Sequence, residues 1–209
     1  MKLLTAVLLA CLIGCGEPPR LELLPAGSTV LAFGDSVTYG TGAKPGQDWP
    51  TLIGQASSWQ VINAGIPGDT ARQARSRLAP LLQEHQPALV IVELGGNDFL
   101  RKSQPSKVKE YLRDILTQSQ ASGAITVMIA VPRLSLLRAS AGALKDSELY
   151  AELAEETGVL LIEDVFSKVL SDDSLRADQV HPNAQGYRQM AQGILQALAS
   201  AGLIETGLK

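Results

Sequence analysis

At 209 residues the chain has room for one domain of ordinary size, and its 45% of hydrophobic residues is enough to fill a core. Lysine and arginine number 18 against 21 aspartates and glutamates, a formal net charge of -3, and no run of basic residues stands out. A protein whose main partner is nucleic acid is therefore not expected.

Lys2 is followed by an apolar stretch from Leu3 to Leu12 and by the small residue Gly14, the layout of a secretory signal. A spanning helix needs about 20 apolar residues, and this stretch is too short for one. Its end, Leu12-Ile13-Gly14-Cys15, resembles the bacterial lipobox. That resemblance implies residues 1–14 as a lipoprotein signal peptide and lipidation of Cys15, which becomes the new N-terminus; ordinary signal cleavage with a free Cys15 is the alternative. Cys11 would leave with the signal, so the mature domain would hold no free thiol and no disulfide. Residues 15–28 read as a tether, of which Gly16 to Gly27, with Pro18, Pro19 and Pro25, reaches at most about 40 Å when extended. The expected location is the bacterial cell envelope, with the protein lipid-anchored to a membrane and facing the periplasm. Gly16 after the cysteine resembles outer-membrane sorting in Gram-negative cells.

Residues 29–209 are expected to form the single domain. Strands are expected at Thr29 to Phe33, Gln60 to Asn63, Ala88 to Leu94, Ala124 to Val131 and Val159 to Ile162. Their nearly continuous apolar character suits strands covered on both faces. Amphipathic stretches between them predict helices over Trp49 to Ser57, Thr70 to Glu84, Ser106 to Gln120 and Asp146 to Glu156, with a last helix after Pro182. Asp48 before Trp49-Pro50 is a good N-cap, and Gly123 and Gly158 are C-cap signals just ahead of strands. This alternation implies a parallel sheet with helices on both faces, and in such sheets ligands bind at the carboxyl ends of the strands.

Those ends carry unusual residues: Gly34-Asp35-Ser36, Asn63-Ala64-Gly65-Ile66-Pro67-Gly68-Asp69-Thr70 and Gly95-Gly96-Asn97-Asp98. Asp178-Gln179-Val180-His181-Pro182 precedes the last helix. Ester cleavage by serine needs a nucleophile, a base, a group that orients the base, and donors for the oxyanion. Ser36 is the candidate nucleophile, His181 the base and Asp178 the partner of its Nδ1. Gly68 and Ser36 offer backbone N–H groups and Asn97 a side-chain amide. Taken alone, Gly-Asp-Ser is a common turn, Asp178 a possible helix cap and Asn97 a turn residue; the ordered set is what favours chemistry. Asp35, Asp69 and Asp98 are expected to organise their own turns, and His85 to sit at a helix C-terminus without a catalytic part. Two histidines in no H-E-x-x-H spacing argue against a metal site, and Thr38 departs from the G-x-S-x-G elbow.

The blocks GDSVTYG, NAGIPGDT, ELGGND and DQVHP, in this order, resemble those of the SGNH hydrolase superfamily, also called GDSL esterases. The likeness is greatest to bacterial arylesterases and multifunctional thioesterase-lysophospholipases, and runs from Thr29 to near Leu195. It implies a three-layer α/β/α sandwich of flavodoxin-like type with a five-stranded parallel sheet. It also implies a Ser36, His181, Asp178 triad, an oxyanion hole from Ser36, Gly68 and Asn97, and no metal or cofactor. Gly65 is the near-miss for Gly68. The implied activity is hydrolysis of aryl and acyl esters, acyl thioesters and lysophospholipids, with a small acyl ester as partner and the oligomeric state left open. Carbohydrate O-acetylester cleavage is the alternative, kept open by Trp49 and Tyr39; a lipid-anchored binding module is the non-enzyme alternative. Phe99 to Gln104 and Leu134, Leu136 and Leu137 are candidates to line an acyl pocket, with buried core as the other reading.

Overall fold

Five apolar segments pair side by side, all in parallel, in the order β2-β1-β3-β4-β5. The structure, a computed structural model, describes residues 21–133 and 144–205. The segment expected as a signal peptide, Cys15, part of the expected tether, and Leu134, Leu136 and Leu137 therefore lie outside the described residues. The strands are β1 (Thr29–Gly34), β2 (Gln60–Gly65), β3 (Leu89–Glu93), β4 (Ile125–Ile129) and β5 (Leu160–Ile162). In β1, Val30 through Phe33 are fully buried, as is all of β3, so β1 and β3 are covered on both faces. Burial stabilises each of their larger side chains by roughly 1.5–3 kcal/mol. β2 does not share this character: it is an edge strand, and its residues are only partly buried or exposed. Its apolar run is interrupted by Gln60 and Asn63 because one side of it faces solvent.

The expected helices are present as α2 (Trp49–Ser57), α3 (Ala71–His85), α5 (Pro105–Ala121), α6 (Glu148–Thr157) and α8 (Ala184–Ser200). Asp48 caps α2 by accepting from the Thr51 N–H, and Pro50 sits in its first turn. Helices α3, α5 and α6 pack on one another, while α2, α8 and α7 (Val165–Ser171) form a second group, one layer for each face of the sheet. Besides α7, the sequence pattern misses α1 (Ser36–Tyr39), α4 (Gly96–Leu100) and a 3-10 turn at Asp173–Leu175. Segments this short show no hydrophobic period.

Strand order reverses at β1, whose neighbours are β2 on one side and β3 on the other. The loops leaving β1, β2 and β3 therefore converge at the carboxyl edge where connections run to opposite faces, the usual place for a ligand crevice. Ser36, the 66–70 loop and Asn97 all lie there.

Candidate active site

Strand β1 ends at Gly34, where a side chain would collide with Thr38 and with the Glu93 carbonyl. Glycine lets the chain turn at once into α1, whose first residue is Ser36. Asp35 caps that turn, its Oδ1 accepting from the Val37 N–H at 3.0 Å. As the first residue of a helix, Ser36 has an N–H without an intrahelical acceptor. Its side chain borders a small cavity of about 60 Å³, together with Asp35, Glu93, Asn97, Leu100 and His181.

His181 comes from a different part of the chain. Its Nε2 lies 2.9 Å from Ser36 Oγ, and its Nδ1 lies 2.7 Å from Asp178 Oδ2. An Nδ1–H donated to the carboxylate leaves Nε2 as acceptor for the hydroxyl proton. The other Asp178 oxygen accepts from the N–H groups of Val180 and His181, both at 2.8 Å. Partial burial works to raise the Asp178 pKa, but the bonds from the His181 ring and these two N–H groups outweigh it and hold the carboxyl below its ordinary value. The loop is closed by the Ala177 N–H donating to the His181 carbonyl and by Asn183, whose N–H donates to the Leu175 carbonyl. Asn183 also caps α8 through the Gln185 and Gly186 N–H groups, a cap the sequence reading did not name. A chain of serine, imidazole and carboxylate in this geometry can take up a hydroxyl proton as the oxygen attacks a carbonyl.

The two candidate oxyanion glycines differ. The Gly65 N–H donates to Asn63 Oδ1 at 3.0 Å, whereas the Gly68 N–H has no acceptor among the described residues. Gly68 adopts φ +84°, a left-handed conformation natural to glycine. Asn97 donates its amide to Asp35 Oδ2 at 3.0 Å and to the Asp69 carbonyl at 3.1 Å. An amide has two hydrogens, so in this arrangement both are engaged, and an oxyanion would have to share one of them.

Beneath the serine lies an acidic cluster. Asp35 is almost wholly buried, and burial pushes its pKa up to about 6 against the bonds from Val37 and Asn97. Glu93 is fully buried; burial and the neighbouring Asp35 charge push its pKa well up. Glu93 Oε2 accepts from Thr38 Oγ1 at 3.0 Å, while Oε1 has no partner. Asp69 bonds Arg77 Nε at 2.7 Å, and the same guanidinium donates to the Ala64 and Gly34 carbonyls at 2.9 and 2.8 Å while covering the Phe33 ring. Arg77 thus ties the ends of β1 and β2 to the 66–70 loop. Asp98 acts at long range, accepting from the Ala71 N–H at the start of α3 at 2.8 Å. Glu93 and Arg77 were missed as site residues; a carboxylate closing the otherwise apolar run Leu89 to Val92 was the available signal.

The model of the GDSL-like Lipase/Acylhydrolase family matches residues 32–189. The chain belongs to this family. A relative in it, Thioesterase 1/protease 1/lysophospholipase L1 of Escherichia coli (strain K12), is 37% identical over 166 residues, covering 76% of this chain and 77% of its own. The arylesterase of Vibrio mimicus is 31% identical over 206 residues, 95% of this chain and 98% of its own. The crystal structure of TesA matches with a TM-score of 0.74 at 26% identity, over 83% of this chain and 99% of that one. The protein is thus a GDSL/SGNH-type serine ester hydrolase with the α/β fold of that group.

Two expectations about substrate contacts change within this family frame. Trp49 is fully buried, with its indole N–H unpartnered, so it offers no platform for a sugar ring; Tyr39 is exposed. Of the segment Phe99 to Gln104, Leu100 borders the small cavity, Phe99 packs edge-on against Tyr150, and Arg101, Ser103 and Gln104 line a separate polar cleft. The segment is therefore not a uniform acyl-pocket wall, because its polar residues turn toward the starts of α3 and α5. Among the described residues no group of three or more histidines, cysteines or carboxylates is placed to hold a metal ion.

Proposed function

We propose that the protein cleaves carboxylic esters, aryl and acyl, with acyl thioesters and lysophospholipids as further substrates, through a serine acyl-enzyme. Ser36 Oγ attacks the carbonyl carbon while His181 Nε2 takes its proton, and Asp178 stabilises the imidazolium that results. The oxyanion is held by the N–H groups of Ser36 and Gly68 and by the Asn97 amide. His181 then protonates the leaving alcohol or thiol, and a water deprotonated by His181 releases the acid. The observation that carries this reading is the unbroken chain Ser36 Oγ, His181, Asp178 at 2.9 and 2.7 Å. Treatment with a fluorophosphonate should place the adduct on Ser36 by mass spectrometry; a label elsewhere, or none while ester cleavage persists, would overturn it.

Acyl preference follows from a panel of p-nitrophenyl esters from acetyl to palmitoyl. Each buried methylene is worth about 0.8 kcal/mol, so kcat/KM should rise over several carbons. Activity confined to acetyl groups, with acetylated glycans turned over fastest, would favour the carbohydrate esterase reading. We also propose a lipid anchor on Cys15, supported by the Leu12 to Cys15 pattern. Among the described residues no helix is long and apolar enough to cross a membrane. A Cys15→Ala variant should move from the membrane to the soluble fraction or stay unprocessed, and a wild-type N-terminus without added lipid mass would refute the anchor.

A further inference from the structure

Three cations spread over 35 residues of sequence meet beside the oxyanion loop, although the sequence contains no basic run. A cleft of about 550 Å³ opens between the first turns of α3 and α5, lined in part by Thr70, Arg72, Arg101, Gln104, Lys107 and Tyr111. That volume is within the range of small-molecule sites, roughly 300–1,000 Å³. Arg101 ties the cleft to the loop that carries Gly68: its Nη2 donates to the Gly68 carbonyl at 2.9 Å and its Nη1 reaches Gln73 Oε1 at 3.5 Å. Arg72 is exposed and pairs with no carboxylate among the described residues. Lys107 Nζ bonds Glu110 at 2.7 Å and is otherwise open to solvent.

The backbone adds to this charge. Helices α3 and α5 have 15 and 17 residues, and both direct their N-terminal turns at the cleft. The first turn of α3 is closed by a Thr70–Gln73 capping box, whereas that of α5 has no side-chain cap. Helix N-termini attract anions. The opposing carboxylates are largely committed: Glu110 to Lys107, Asp114 to Arg75 at 2.6 Å, and buried Asp98 to the Ala71 N–H. Two guanidinium groups, an ammonium shared with Glu110 and the uncapped start of α5 together suit a phosphate, which offers several charged oxygens to fork-shaped donors.

We propose that this cleft is a subsite for the phosphate carried on the alcohol or thiol half of an ester substrate. The inference rests on the esterase reading of the adjoining site. The two loops that supply Gly68 and Asn97 continue into the wall of the cleft through Thr70 and Arg101, so a substrate whose carbonyl sits at Ser36 has this charge beside it. The phosphate comes either from a glycerophosphate headgroup, as in a lysophospholipid, or from a nucleotide-type carrier, as in an acyl-CoA.

Matched pairs with one lauroyl chain test it on the full chain: 1-lauroyl-glycerol 3-phosphate against monolauroylglycerol, and lauroyl-CoA against lauroyl-N-acetylcysteamine. In the Arg72→Gln/Lys107→Gln variant, the ratio of kcat/KM for the phosphate-bearing to the neutral member should fall about tenfold or more, through KM, as expected for losing charge-assisted bonds. The pair in which it falls names the source of the phosphate. Unchanged ratios in both pairs overturn the subsite, even if both absolute rates drop. Binding of glycerol 3-phosphate and of CoA by calorimetry gives a readout without turnover: wild type should bind at least one of them, more tightly than the variant. No binding of either to wild type at millimolar concentration also overturns it. Absence of turnover on the neutral esters would instead count against the esterase reading alone.

Discussion

The two halves of the candidate site are held in place by different means. Around Ser36 the bonds span the chain: Arg77 to the Gly34 carbonyl across 43 residues, Thr38 to Glu93 across 55 and Asn97 to Asp35 across 62. These groups are buried or partly buried. Around His181 the bonds are local, with Asp178 reaching only two and three residues ahead, and Asp178 stands half in solvent. The serine half thus depends on correct assembly of the sheet and carries buried acids whose charge is costly. The histidine half is a self-closed loop that the rest of the fold needs little.

The largest effect should come from Asp178→Ala. Losing the group that orients His181 should lower kcat on the order of 10³- to 10⁴-fold, while unfolding free energy, measured in urea, should change by no more than about 1 kcal/mol, since its bonds are exposed. A large loss of stability would erase the contrast between the halves.

Asn97→Ala comes next, with kcat lowered roughly 100- to 1,000-fold at retained circular dichroism. It lies on the buried side and also leaves Asp35 Oδ2 without a donor, so it should lose stability as well. Near-wild-type kcat would remove Asn97 from the oxyanion.

Arg77→Met should sharpen the comparison further. It strips three bonds and leaves Asp69 unpaired, so unfolding should become easier by about 2–3 kcal/mol. Stability equal to wild type would mean that the serine half is not held by its long-range bonds.

The smallest effect concerns pH. Burial raises both Asp35 and Glu93, and the groups facing them are Thr38, His181, Asp69, Tyr150 and Tyr187. Carboxyls with raised folded-state pKa values leave stability fully present below their unfolded values and subtract from it as pH rises through the folded ones. For Asp35 that window runs from 3.8 to about 6; for Glu93 it begins near 4.5 and extends further. Glu93→Gln removes one buried acid and Asp35's like-charged neighbour. Its Tm relative to wild type should therefore rise between pH 5 and pH 8, and parallel Tm profiles would show that burial does not raise the Glu93 carboxyl above its ordinary range.

The contrast also marks what could be read in advance. Asp178, Val180 and His181 bond within four consecutive residues, and the Asp48 cap of α2 acts three residues ahead, so their spacing alone implied them. The long helices were legible because their apolar positions repeat, and β1, β3 and β4 because they are nearly unbroken apolar runs. α1 and α4 escaped notice since four and five residues show no period.

The sequence by itself determined the order of the five strands and five long helices, the family, and the residues that meet in the candidate triad, because each is carried by a local pattern or an ordered block. Only the tertiary structure decided that β2 is an edge strand, that Trp49 is buried and that Glu93 and Asp35 share an enclosed space. It likewise decided that Asn97 spends both hydrogens on neighbours and that Arg72, Arg101 and Lys107 face one cleft. The physical reason is common to all of these. Burial, charge pairing and electrostatic focusing depend on which strands lie side by side and which helix ends point at the same crevice, and contacts across tens of residues leave no trace in local spacing.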